Sequence, residues 1–196
     1  RARTRLLNLS AFDFDAAIQW ARSAPGATLA RRAEADLAFV AEAATAGQAL
    51  LLDTCVYIDG LQGRAPEAVA DLLDRRIVNH STVAIQELIH TVGMLDPKHP
   101  RTDAAVEEIG AVVGAMPEHR VFTPDADVLG RAALLSGILC RLQGYGRDAR
   151  LRALQDCTLF LQAMKLGLCV LTANVADFDI LSRMVPNGRV LFYRPA

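Results

Sequence analysis

Aromatic side chains are scarce, at 6% of the 196 residues with a single Trp. The core must therefore be mostly aliphatic, and the abundance of Ala and Leu favours helices. Long apolar runs are also missing. The most tempting stretch, Leu50-Leu51-Leu52, stops at Asp53, far short of the ~18 residues a membrane span needs, so no membrane partner is expected. The basic start, Arg1 to Arg5, has no apolar signal core behind it. The four cysteines, Cys55, Cys140, Cys157 and Cys169, include no C-x-x-C pair and lie in apolar segments. They are expected to be reduced, mostly buried thiols of a cytoplasmic protein. The four histidines form no H-x-x-x-H pair, which argues against a zinc enzyme. No G-x-G-x-x-G turn is present, which argues against dinucleotide binding. Charge of one sign is lacking too. Lys plus Arg is 21 against 22 Asp plus Glu. That excludes a uniformly basic nucleic-acid coat but leaves room for an enzyme that touches nucleic acid through a local patch.

What the chain does have is 52% hydrophobic and 22% charged residues, the composition of a folded globular protein rather than a disordered one. Residues 1–48 read as a helical arm. Ser10 and Asp13 resemble a capping box for a helix to about Arg22; Pro25-Gly26 breaks it. Leu29, Ala33, Leu37, Val40 and Ala44 then recur at helical spacing from Thr28 to Ala46. At residue 49 the texture changes. Ala49 to Leu52 is a continuously apolar run, as expected of a strand buried on both faces. Further strands are predicted at Ile77–His80, Arg120–Phe122, Leu168–Leu171 and Val190–Tyr193. Helices are predicted over Pro66–Arg76, Thr82–Leu95, Thr102–Met116, Pro124–Gln143, Leu151–Leu166 and Asp177–Met184. This alternation predicts an α/β fold with a mainly parallel sheet over residues 49–196.

Carboxylates are the chemistry on offer. Asp53 directly follows the first strand, and open parallel sheets carry their sites at the carboxyl ends of strands. Thr54 beside it is a candidate for orienting a ligand or capping a turn. Glu87 lies within the helix after the second strand. Asp156 precedes Cys157-Thr158-Leu159-Phe160-Leu161 on an apolar helix face, where a carboxylate is costly unless paired, protonated or metal-bound. After the strand ending at Leu171 comes Thr172-Ala173-Asn174-Val175-Ala176-Asp177-Phe178. Several acids converging on one cleft repel each other. A hard divalent cation such as Mg²⁺ or Mn²⁺ relieves that repulsion and suits phosphodiester hydrolysis. Arg147, Arg150 and Arg152 lead into the Asp156 helix and are candidates to grip RNA phosphates. His90 stands one turn after Glu87 and reads as a surface residue.

The series Leu51-Leu52-Asp53-Thr54, Ser81 to Glu87-Leu88, Asp156, and Val170 to Phe178 with its T-x-N-x-x-D-F motif resembles the PIN-domain nucleases. The nearest branch is the VapC-like toxins of toxin–antitoxin pairs. The resemblance spans residues 49–196 and implies a three-layer α/β/α fold. It also implies a ribonuclease dependent on Mg²⁺ or Mn²⁺, with Asp53, Glu87, Asp156 and Asp177 as catalytic and metal-holding acids and Thr172 and Asn174, with Thr54, in support. It further implies an RNA substrate, a cognate antitoxin and a homodimer. A standalone nuclease or a non-catalytic binding module built on the same fold are the alternatives. A haloacid-dehalogenase-type phosphotransferase is disfavoured, because Cys55 stands where that chemistry needs a second Asp.

Overall fold

The computed structural model describes residues 12–40 and 47–196. Five strands, β1 (Leu50–Leu52), β2 (Val78–Ser81), β3 (Val121–Phe122), β4 (Cys169–Thr172) and β5 (Arg189–Phe192), form one sheet in the order β3-β2-β1-β4-β5. Every pairing is parallel; Leu50 aligns with Val78 on one side and with Cys169 on the other. All three β1 residues are buried, as a central strand covered on both faces requires.

Side chains alternate between the two faces, so each strand feeds two cores. Leu50, Leu52, Leu171 and Leu191 pack with α2 (Thr54–Leu61), α3 (Glu67–Arg75), α4 (Thr82–Met94) and α5 (Thr102–Gly114). Leu51, Val170 and Phe192 face the other way, towards Phe160 and Phe178 on α7 (Arg147–Leu166) and α8 (Val175–Met184), with α6 (Ala126–Gln143) behind. The result is the expected three-layer α/β/α arrangement. The helices start and stop on recognisable signals. Asp125 caps α6 by accepting from the Val128 N–H at 3.0 Å, and α6 and α7 end on Gly144 and Gly167, both at φ +68°.

Several local expectations change. The first helix is α1 (Phe14–Ala21), capped by Asp13, which accepts from the Ala16 N–H at 3.0 Å; Ser10 lies outside the described residues. The helix expected over Thr28–Ala46 does not form across the described part, up to Val40. It holds a short 3₁₀ segment at Glu34–Asp36, and Val40 is again in a 3₁₀ conformation. The rest runs extended and forms a parallel bridge from Phe39 to Phe192 on β5. Residues 41–46 lie outside the described set. The stretch after Asp53, for which no helix was expected, is α2. The Asp156 helix begins at Arg147, four residues earlier than predicted, so Asp156 stands in mid-helix and is not an acid of the first turn.

The extended segment holds to the domain by polar contacts. Asp179, 0% exposed, accepts from the Arg32 backbone N–H at 2.8 Å and from its Nε at 2.6 Å. Thr28 donates to the Leu142 carbonyl at 2.6 Å, and Arg183 donates to the Ala30 carbonyl. Phe192 donates its N–H to the Ala38 carbonyl at 2.8 Å.

Candidate active site

The strand order reverses direction between β1 and β4. At such a switch point the connections leave to opposite faces of the sheet and a crevice opens beyond the carboxyl ends of the strands. Asp53 is the residue after β1, and Thr172 is the last of β4. The sequence signal and the topology therefore select the same edge.

Asp53 is 6% exposed and also caps α2. Its Oδ1 accepts from the Thr54 N–H at 2.7 Å, and its Oδ2 accepts from the Thr172 hydroxyl at 2.6 Å and the Cys55 thiol at 3.1 Å. Thr172 in turn accepts from the Asn174 N–H at 2.9 Å, which ties the β4–α8 turn to Asp53. Thr54 donates its hydroxyl to Glu87, which α4 carries to the same cleft. Asp156 projects from α7 and is 6% exposed; Asp177, from the first turn of α8, is 5% exposed. The Asn174 amide donates to both, at 3.2 Å to Asp156 and 3.0 Å to Asp177. It is the only hydrogen-bond donor to the Asp156 carboxylate among the described residues. The Tyr145 hydroxyl donates to the other oxygen of Asp177.

All four predicted acids and the three supporting residues therefore share one region. A cleft of about 440 Å³ is lined by Asp53, Thr54, Glu87, Asp156 and Asn174, with exposed His90 at its side. The arginines divide. Arg152 lines this cleft, with its Nε 3.9 Å from Asp177. Arg150 lines a separate pocket between α6 and α7, because residues two apart on a helix point to nearly opposite sides. Arg147, the first residue of α7, makes no hydrogen bond or ion pair among the described residues. Sequence reasoning missed Tyr145, which lies between the predicted helices ending at Gln143 and starting at Leu151, and Cys55, which looked like an ordinary buried thiol. Cys55 accepts from the Ala173 N–H at 3.2 Å and touches Asp53. No local pattern marks either residue.

The electrostatics follow from burial. Desolvation pushes the Asp53, Glu87 and Asp156 carboxyls above their ordinary range. For Asp156 the negative charges of Asp53, Asp177 and Glu87 push further in the same direction, and Arg152 opposes them. The Cys55 thiol is pushed up by burial and by Asp53, so it is no nucleophile at neutral pH. Four carboxylates with one nearby arginine lack compensating positive charge, which suits a bound cation. No three His, Cys, Asp or Glu side chains among the described residues stand close enough to chelate one ion as placed. The oxygen-only donor set and the single donor to Asp156 nevertheless fit Mg²⁺ or Mn²⁺. Mg²⁺ typically keeps several waters and takes only one or two carboxylates directly.

No protein-family model matches the sequence, and no curated protein does. Solved structures do match. VapBC2 from Rickettsia felis, bound to a promoter DNA fragment, aligns with a TM-score of 0.51 over 74% of this chain and 98% of that one, at 13% identity. FitAcB from Neisseria gonorrhoeae gives 0.51 over 73% and 96%, at 20% identity. DNA-bound VapBC from Salmonella typhimurium gives 0.51 over 74% and 97%, at 19%. At these identities the likeness is one of fold, and the chain shares with these structures a PIN-like arrangement of a parallel five-stranded sheet between helical layers.

Proposed function

We propose that the protein is a divalent-metal-dependent endoribonuclease that hydrolyses RNA phosphodiester bonds, and the toxin of a toxin–antitoxin pair. The observation that carries the chemistry is the gathering of Asp53, Glu87, Asp156 and Asp177 at the switch-point crevice, three of them at most 6% exposed. The likeness to VapBC and FitAcB supports the toxin assignment and the expectation of a cognate antitoxin. A homodimer and a cytoplasmic setting complete the reading; all four cysteines are free thiols, as a reducing compartment keeps them.

Each residue has a definable task. Asp53, Glu87, Asp156 and Asp177 would hold the Mg²⁺ or Mn²⁺ directly or through water. The bound ion would supply an activated water at neutral pH and charge stabilisation at the scissile phosphate. Thr172 and the Thr54 N–H fix the Asp53 carboxylate from both oxygens. Thr54 positions Glu87, and Asn174 holds Asp156 and Asp177 at a set spacing. Arg152, 65% exposed in its side chain, is free to swing onto a phosphate oxygen and offset developing charge.

The test is cleavage of a mixed RNA pool by wild type and by Asp53→Asn, with Mn²⁺, Mg²⁺ or EDTA. Asn preserves size and one acceptor oxygen while removing the charge. Cleavage that requires metal and falls at least ~100-fold in the variant is the expected result. Equal activity in both proteins would mean the site is wrong, and silence in both would favour a non-catalytic module.

A further inference from the structure

The carboxylate cleft has a neighbour. A pocket of about 380 Å³ lies where the extended 28–40 segment meets the start of α8. Asn174 lines both spaces, so the two adjoin at that residue. Arg31, Arg32 and Arg194 line the second pocket together with two acids, Glu34 and Asp179. Both acids are already engaged. Asp179 is clamped by Arg32 at 2.6 Å, and Glu34 pairs with Arg194, which also stacks over the Phe39 ring at 5.2 Å. Arg31 is left over. It is exposed and makes no hydrogen bond or ion pair among the described residues. Its charge reaches the phenol of Tyr145, whose hydroxyl donates to Asp177.

We infer that this pocket is a second phosphate subsite, in which Arg31 holds a backbone phosphate of the single-stranded RNA whose scissile bond lies over the carboxylates. The identity of the anion rests on the ribonuclease reading. The physical need is clear: a cleft of buried carboxylates repels a polyanion, so positive charge must flank it. Arg152 stands inside the cleft, and Arg31 stands beyond Asn174 in the adjoining pocket. A strand crossing at Asn174 meets a guanidinium in each of the two spaces. Arg32 and Arg194 shape the pocket but are committed to their own carboxylates, so Arg31 is the group with free donors. An arginine fork is suited to a phosphate's paired oxygens.

The experiment measures binding of a labelled pool of short single-stranded RNA to the full chain in EDTA, so that no strand is cut, across a salt series. Wild type is compared with Arg31→Ala, Arg31→Lys and, as a control in the separate α6–α7 pocket, Arg141→Ala. Arg31→Ala should weaken binding about three- to tenfold and reduce the slope of log K against log salt by about 0.7, the loss of one single-strand phosphate contact. Arg31→Lys should keep most of the slope, and Arg141→Ala should match wild type. In the cleavage assay Arg31→Ala should raise KM with kcat within about twofold, since the contact is made equally before and during reaction. Wild-type affinity and slope in Arg31→Ala would overturn the subsite, as would no RNA binding by wild type. Arg31-dependent binding without any cleavage would sink the nuclease reading and leave the subsite standing.

Discussion

Asp156 stands in mid-α7 at 6% exposure, with Asp53, Asp177 and Glu87 around it and Arg152 as its one favourable charge. Burial, then those like charges, hold its carboxyl well above the ordinary range; burial also raises Asp53 and Glu87. The sign of the stability effect follows. An acid whose folded pKa is raised contributes stability that is fully present below its unfolded pKa and is lost as pH climbs through the folded pKa. The metal-free protein should therefore weaken as pH rises from about 4 through the raised range. Asp156→Asn keeps the acceptor oxygen for Asn174 and removes the charge. In EDTA it should be more stable than wild type by about 1–2 kcal/mol near pH 8, about 3–6 °C in Tm, and no more stable near pH 4. Thermal unfolding of both proteins across that pH range checks this. A constant difference at all pH values would assign the effect to packing rather than charge.

Elements were legible where burial imposed a simple pattern. The apolar run before Asp53 became β1, and the Thr172–Phe178 signature became the β4–α8 turn. Elements failed where tertiary contacts overrode local preference. The 28–40 segment has helical spacing of apolar residues, but the structure uses Leu37 and Val40 as separate anchors, one in each core, and leaves Ala33 exposed. Its backbone groups find partners on α6, α8 and β5 in place of a helical ladder. α2 was missed because Asp59 and Gly60 spoil its apolar pattern; Asp59 is buried and bonded to Arg64 and Tyr193. The acids picked out by the motifs come together at one sheet edge, yet nothing local shows that Tyr145 reaches Asp177 or that Arg31 lines the adjoining pocket. For the segment itself, the Arg32–Asp179 clamp sets the energetics. Arg32→Ala leaves the fully buried Asp179 carboxylate with the residue-32 backbone N–H as its remaining donor, and because the Arg32 side chain is 37% exposed the cost should be about 2 kcal/mol, below the full value for a dry ion pair. Urea unfolding at pH 7 measures it. A change under about 0.5 kcal/mol would mean the segment contributes little to the folded state in solution.

At the scale of the whole molecule, the carboxylates come from the end of β1, α4, α7 and α8 and meet only when all three layers assemble. The unfolded chain has no such cluster, so a cation held there binds the folded state selectively and stabilises it by mass action. At ten times its Kd the gain is about 1.4 kcal/mol, about 3–6 °C for a chain of this size. Burial favours the protonated forms of Asp53, Glu87 and Asp156, so protons compete with the cation and affinity falls as pH drops. A Mn²⁺ or Mg²⁺ titration followed by Tm should therefore give a larger shift near pH 8 than near pH 5. Asp156→Asn starts from a higher metal-free Tm near pH 8, because it has already shed part of the repulsion, and should respond by less than about 1 °C. Its metal response and its metal-free gain thus have one origin, the charge of a cluster that the fold holds together without enough positive charge of its own. A variant that gained as much from metal as wild type would move the cation away from Asp156 and break that connection.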